Sequence, residues 1–443
     1  MSDAAAAGPL APSAGCTPAP YGGGDLTCIN TGNIITNGID GIDAPATNGN
    51  ATTTNSGNVT TSGATFGIRT TTNIGNATTN NAGNVSVSGS VSSFGIYTAT
   101  GFGAVGEAGI NTPPLSGGGA ATTNNYGNVA VIGDFSTGIF TGPGFATVNA
   151  PLGTANLAVT VSSATTNNFG NVSVTGFDSV GIRTTTALAV TQGPLSNSGA
   201  SVSGAAIGGG DATTYNAGTV TVDGNGSGTS PQAGGLSALA VSFGTIGIVT
   251  GASSGNATTI NSGIVSVVGS TGGTFACLAC GGSTVGISTN AFNGNATVIN
   301  AGIVSVSGPN NIGISLFSTG DSVLANSGVI SAAGGIAIQF ANPQDPATLT
   351  LQPGSFIIGA INLIGAGDTV NVNAGNQNLT FNTLAGVTVT GNVPYIVSGD
   401  RIVSIDPTGF AASNSAGIKT TPRHVIFNTA RWDITGPILN QAP

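Results

Sequence analysis

Residues 51–75 read ATTTNSGNVTTSGATFGIRTTTNIG, and this stretch decides the fold. It reads as three short strands separated by turns: a Thr-rich strand, then a V-x-V-like strand after Asn55-Ser56-Gly57, then Gly67-Ile68-x-Thr70. β-Branched side chains suit a pleated surface and favour strand over helix. Alternation, clearest in Val85-Ser86-Val87-Ser88 and Val220-Thr221-Val222, points one side chain inward and the next outward. At the corners, Gly is expected to supply positive φ, and Asn tolerates it while bonding to nearby backbone.

The unit recurs along the chain. Aligned on Asn-x-Gly-x-Val, copies start at Asn55, Asn81, Asn125, Asn168, Asn216, Asn261 and Asn300, with Ile in place of Val in the copies at Asn30 and Asn326. Seven of these nine follow an Ala-Thr-rich lead such as ATTNN or ATTYN. Gly-Ile follows downstream at Gly67, Gly95, Gly138, Gly181, Gly247, Gly286 and Gly313. The Asn-to-Gly spacing is 12, 14, 13 and 13 in the first four pairs and 13 again in the seventh, as a structural unit requires. No unit can bury its apolar side alone. Stacked about 4.8 Å apart, units would pair their backbones into parallel sheets and line Val and Ile into one core. The predicted class is all-β, a right-handed parallel β-helix (β-solenoid). Asn at the same corner of each coil has two readings, a hydrogen-bonded amide ladder or simply a good turn residue. Insertions break the period near 101–119, 142–161, 187–210, 223–244 and 269–284, at corners where a solenoid accepts extra chain. They are the expected partner contacts.

Composition excludes several functions. Of 443 residues, 74 are Gly and only 5% are charged, the net charge is −9, and mean hydropathy is +0.31. Disorder goes with low hydrophobicity and high net charge, which this is not. The first 400 residues hold only Arg69 and Arg183 as basic groups, so a nucleic-acid partner is excluded, because phosphate binding needs clustered Lys and Arg. Glu107 is the single Glu and His424 the single His, which leaves most acid/base chemistry without raw material. No run of about 20 apolar residues can span a membrane as a helix. The N-terminal MSDAAAAGPLAPSAGC lacks the basic and hydrophobic regions of a signal peptide.

The Asn-x-Gly-x-Val units, the segment TLQPGSFIIGAINLIGAGDTVNVNAGNQNLTF and the piece IVSGDRIVSIDPTGFAA together resemble autotransporter passengers of proteobacteria. The last piece, with Asp406-Pro407-Thr408-Gly409-Phe410-Ala411, is similar to the junction that precedes the translocating barrel. The resemblance spans about residues 25–412. It implies a signal peptide, a β-helical passenger and an outer-membrane barrel, with the passenger displayed on the cell surface or secreted. Four regions follow: an N-terminal segment or cap at 1–24, the repeat region at 25–340, the junction segment at 341–412, and an atypical tail at 413–443. The tail holds Lys419, Arg423, Arg431, His424 and the sole Trp, Trp432, and shows no series of alternating barrel strands. The expectation is a truncated or frameshifted end, with the signal peptide and a translocator, its own or separate, supplied from outside this chain.

Individual motifs carry little chemistry. In an exported protein Cys16 would pair with Cys28 and Cys277 with Cys280 as disulfides, while Cys277-Leu-Ala-Cys280 also fits half of a zinc site or a redox motif. Gly101-Phe-Gly103-Ala-Val-Gly106 matches a dinucleotide fingerprint but lacks the following helix and acidic residue. Gly365-Ala-Gly367-Asp368 occurs once, where a calcium-binding nonapeptide array needs tandem copies. Asp40 and Asp43 have the residue type to flank a sugar or a cation, but two carboxylates in a Gly-rich loop are usually just solvated. No catalytic, cofactor-binding or metal-binding residue and no cofactor is expected. The leading function is a structural, adhesin-like surface rod whose insertion loops meet a surface, matrix or host ligand. Two alternatives stand beside it. A β-helical polysaccharide lyase or hydrolase needs clustered carboxylates with Arg or Lys. An ice- or crystal-binding solenoid needs a flat, uninterrupted outward Thr face, suggested by Thr70-Thr71-Thr72 and Thr184-Thr185-Thr186.

Overall fold

A computed structural model describes Cys16–Thr17 and residues 24–405, apart from 102, 106–114, 144–145, 149–158, 162, 187–189, 193–209, 225–243, 270–282, 343–345 and 364–366. Its described residues form strands and turns and no helix. Thirty-one strands join in one network in which each coil pairs in parallel with the next. The chain is a parallel β-helix.

Each coil has three faces. In the second coil they are Ala51–Asn55, Val59–Ser62 and the first part of the long strand Phe66–Asn81, which runs on into the first face of the third coil. Pairing keeps equivalent residues in register across insertions: Asn81 lies beside Asn125, Asn125 beside Asn168, and Asn168 beside Asn216. Insertion therefore costs the ladder nothing in register. The three insertions near 101–119, 142–161 and 187–210 leave at the corner between the third and first faces. Within them Gly103–Val105, Ala146–Val148 and Val190–Gln192 pair into a separate three-stranded parallel sheet. Gly103 thus lies in a strand, not in a phosphate-cradling loop. The insertions near 223–244 and 269–284 leave between the second and third faces. The Asn-x-Gly corner carries none.

The core is small-chained and built in columns. The second face contributes Val85 and Val87, Val129 and Val131, and their equivalents; the third contributes Ile68, Ile96, Ile139 and Ile182, all at most 1% exposed. Burying one such side chain is worth about 1.5–3 kcal/mol, so a coil contributes only a few of these and depends on its neighbours. Glycine serves here mainly by close approach. At Gly57, Gly83, Gly127 and Gly170 a Cβ would fall within 3.0 Å of the carbonyl oxygen of the corresponding Gly one coil before. At Gly67, Gly95 and Gly138 it would strike a core Val of the next coil. None of these seven has positive φ: the left-handed role expected of Gly falls to other corners, such as Gly63 at 65° and Gly101 at 73°, while the Asn-x-Gly glycine is required because coils touch there.

Parallel pairing continues past residue 340. Ala347–Leu351 pairs on Ser322–Asn326, Thr369–Val372 on the strand before it, and Thr388–Gly391 on that. An antiparallel trio, Asn378–Thr380, Arg401–Ser404 and Tyr395–Ser398, follows the last coils. At the other end Cys16–Thr17 pairs antiparallel with Leu26–Asn30 and sets Cys16 opposite Cys28, which is disulfide-bonded. Cys277, Cys280 and the tail 413–443 lie outside the described residues.

Candidate binding surface at the Asn-x-Gly corner

The repeated Asn residues point inward. Asn30, Asn55, Asn81, Asn125, Asn168, Asn216, Asn261, Asn300 and Asn326 are buried, all but Asn30 completely. Each Nδ2 donates to the Oδ1 of the Asn in the next coil at 2.7–2.8 Å, from Asn30 through to Asn326. The second hydrogen goes to the carbonyl two residues on, as from Asn168 to Gly170 at 3.0 Å. The ladder ends on the Ser355 hydroxyl, whose carbonyl accepts from Gln377. A buried amide satisfied on both sides is what low dielectric demands.

A second buried ladder was not expected. Threonine hydroxyls zigzag between the first and third faces: Thr70 donates to Thr53, Thr79 to Thr70, and the chain continues through Thr98, Thr123, Thr141, Thr166, Thr184, Thr214, Thr250 and Thr259 to Thr289, with oxygens 2.6–2.8 Å apart. A hydroxyl has one proton, so each donates toward the N-terminus. Where Thr stops, both faces turn apolar together, at Val298, Leu316 and Leu324. Thr70, Thr71, Thr72, Thr184 and Thr186 are thus buried, and these runs are not the outward face that the sequence suggested. An outward column does exist: Thr27, Thr52, Thr78, Thr122, Thr165, Thr213, Thr258 and Thr297 lie side by side on the first face without interruption.

The carboxylates singled out in the sequence hold backbone or a counter-charge. Asp40 accepts the Phe66 amide at 3.0 Å, and Asp43 lies 3.5 Å from Arg69, which also sits over the Phe66 ring. Burial raises the Asp43 carboxyl, Arg69 offsets part of that, and Asp40 adds to it. Asp368 is buried and accepts the Ala347 amide at 2.9 Å, a corner role. Asp178 is pushed up to about 6, first by burial and then by the Asp134 carboxylate. Among the described residues no three His, Cys, Asp or Glu groups gather as metal ligands.

Outside the Asn ladder the corner changes character half-way along the rod. In the early coils its surface is amide: Asn58 donates to Asn33, Asn84 to Asn58, Asn128 to Asn84 and Asn171 to Asn128 at 2.9–3.1 Å. On the other side of the corner Asn167 donates to Asn124 and Asn124 to Asn80. From the sixth coil the first column continues as Thr219, Ile264, Ile303, Val329 and Phe356, and the second as Tyr215, Ile260 and Ile299. Along the first column runs a groove of about 700 Å³, lined also by Ala217, Ser262, Ala301 and Ser327 and floored by Gly218, Gly263, Gly302 and Gly328, with Phe169 at one end and Gly354 at the other. Tyr126 stacks on Phe169 with centroids 5.0 Å apart and planes 6° apart, and Phe169 meets Tyr215 at 5.5 Å. Tyr126 and Phe169 are 59% and 44% exposed. Ile264-like residues after Asn-x-Gly were legible in NSGIV and NAGIV, but a groove needs the register of separate copies. No protein-family model, curated protein or solved structure matches this chain.

Proposed function

We propose that the chain is an exported, non-catalytic surface rod, the passenger part of an autotransporter-like system, which carries its insertions outward as adhesive loops. The observation that supports this most is the placement of the insertions. All five leave at two of the three corners, while the Asn ladder passes each of them unbroken. A rigid scaffold with variable excursions at fixed corners is how repeat proteins present binding surfaces. The test is proteolysis of intact bacterial cells that carry the gene in its native genomic setting. Loss of the chain to external protease, with a cytosolic control protected, is the expected result; a chain protected until lysis would end the reading.

A second reading has the outward Thr column behind it. Eight threonines spaced by about one strand separation make a regular row of hydroxyl and methyl groups on a stiff sheet, suited to an ordered surface such as ice. Ice-recrystallisation inhibition by the purified chain, abolished in Thr122→Lys/Thr165→Lys, would carry it; equal ice growth with and without the chain would remove it.

A further inference from the structure

We infer that the groove from Phe169 to Gly354 binds a linear, uncharged, β-linked polysaccharide lying along the solenoid axis. The groove crosses six coils, five steps of about 4.8 Å, or about 24 Å, enough for several sugar rings in line. Its floor is glycine backbone where coils touch, so a flat ring can approach closely.

Chemistry along the walls fits the two kinds of surface on a pyranose. Its C–H face is apolar and stacks on aromatic rings, and Phe169, exposed at one end of the groove, offers such a face, backed by Tyr126 stacked on it and by half-buried Tyr215 beside it. Its rim of hydroxyls needs neutral donors and acceptors, and Asn171 and Thr219 line the groove as well. Among the described residues no charged side chain lines the groove, and the chain as a whole carries −9, so the long-range field repels polyanions. An extended peptide would seek free backbone groups along a sheet edge. Here the amides of Ile264, Ile303 and Val329 already donate to Gly218, Gly263 and Gly302 of the coil before, and those of Ser262 and Gly263 to Asn216. Recognition falls to side chains and ring faces, as it does for a neutral glycan.

Binding of this kind is independent of export and is measured by calorimetry on the purified full chain with cellohexaose, chitohexaose and mannohexaose. At least one should bind one-to-one with Kd below about 1 mM. Phe169→Ala, which removes the stacking face, and Ile303→Glu, which places a charge in the groove, should each weaken it at least about tenfold. Ile35→Glu, on the exposed second face away from the groove, should leave it unchanged. Unaltered circular dichroism separates loss of binding from loss of fold. The inference is overturned if none of the three sugars binds at 5 mM or if binding survives both groove substitutions. It is equally overturned if a heparin hexasaccharide binds in their place, or if the groove instead closes a dimer that Ile303→Glu dissociates in sedimentation.

Discussion

Replacing Asn168 by Asp tests whether the amide ladder holds the rod together. Asn168 lies in mid-ladder, fully buried; it accepts from Asn125 at 2.8 Å and donates to Asn216 at 2.8 Å and to Gly170 at 3.0 Å. Aspartate has the same shape but, ionised, has no proton to give, so the Asn216 Oδ1 and the Gly170 carbonyl both lose their donor and a charge is buried between acceptors. With each orphaned group costing about 1–3 kcal/mol and the buried carboxylate adding more, the loss at pH 8 is about 3–6 kcal/mol. Protonation restores one of the two donors. Desolvation raises the folded-state pKa of this Asp above its unfolded value of about 3.9. Its contribution is therefore retained below pH 4 and lost as pH rises through the folded pKa, a trend absent from wild type at this position. Urea unfolding followed by circular dichroism at pH 4 and pH 8, with amide exchange on the coils either side, reads both effects. A solenoid unfolds by segments, so exchange should quicken first next to residue 168. A loss under about 0.5 kcal/mol at pH 8 with no pH trend would refute the ladder's role and leave Asn as a turn residue only.

Three further outcomes follow from the same geometry. Thr166→Val leaves the Thr184 hydroxyl without an acceptor and should cost about 1–3 kcal/mol by urea midpoint, whereas Thr289→Val, at the end of the chain of hydroxyls, should cost under about 1 kcal/mol. Gly170→Ala sets a Cβ against the Gly127 carbonyl and should cost about 3 kcal/mol or more, against about 1 kcal/mol for Gly63→Ala, where φ is 65° but nothing lies within 3.4 Å of the new methyl; equal costs would contradict the close-approach account. Asp178, at about 6 when folded and near 3.9 when unfolded, contributes stability fully below about pH 4 that is lost as pH rises through 6. Asp178→Asn should therefore melt with wild type at pH 3.5 and be more stable at pH 7.5, by about 1 kcal/mol after allowance for solvent screening.

Repeat, faces and insertion corners were legible because they rest on spacing and on two-residue alternation, which survive without knowledge of what lies opposite. Thr70 and Thr166 were not, because hydropathy places a hydroxyl outside unless its partner is known, and that partner sits 17 residues away in one case and 25 in another. A signal was nonetheless present: Thr fills the second Thr slot of the Ala-Thr-Thr lead and the end of Gly-Ile-x-Thr in the same copies, and in the copy of Asn300 the two positions become Val298 and Leu316, in the next Leu324 and Phe340. Paired change at two slots of one repeat marks a contact between them. The same reasoning applied to the slot after Asn-x-Gly, where Asn58, Asn84, Asn128 and Asn171 give way to Thr219, Ile264 and Ile303, marks a change of environment on the outside instead, because the inward slots next to it stay the same between the fifth and sixth coils: Asn168 and Asn216, Val172 and Val220, Val174 and Val222. An exposed column that turns apolar while the core beneath it stays constant is not maintained by folding. In this rod such a column coincides with the groove, at the one corner where no insertion intervenes.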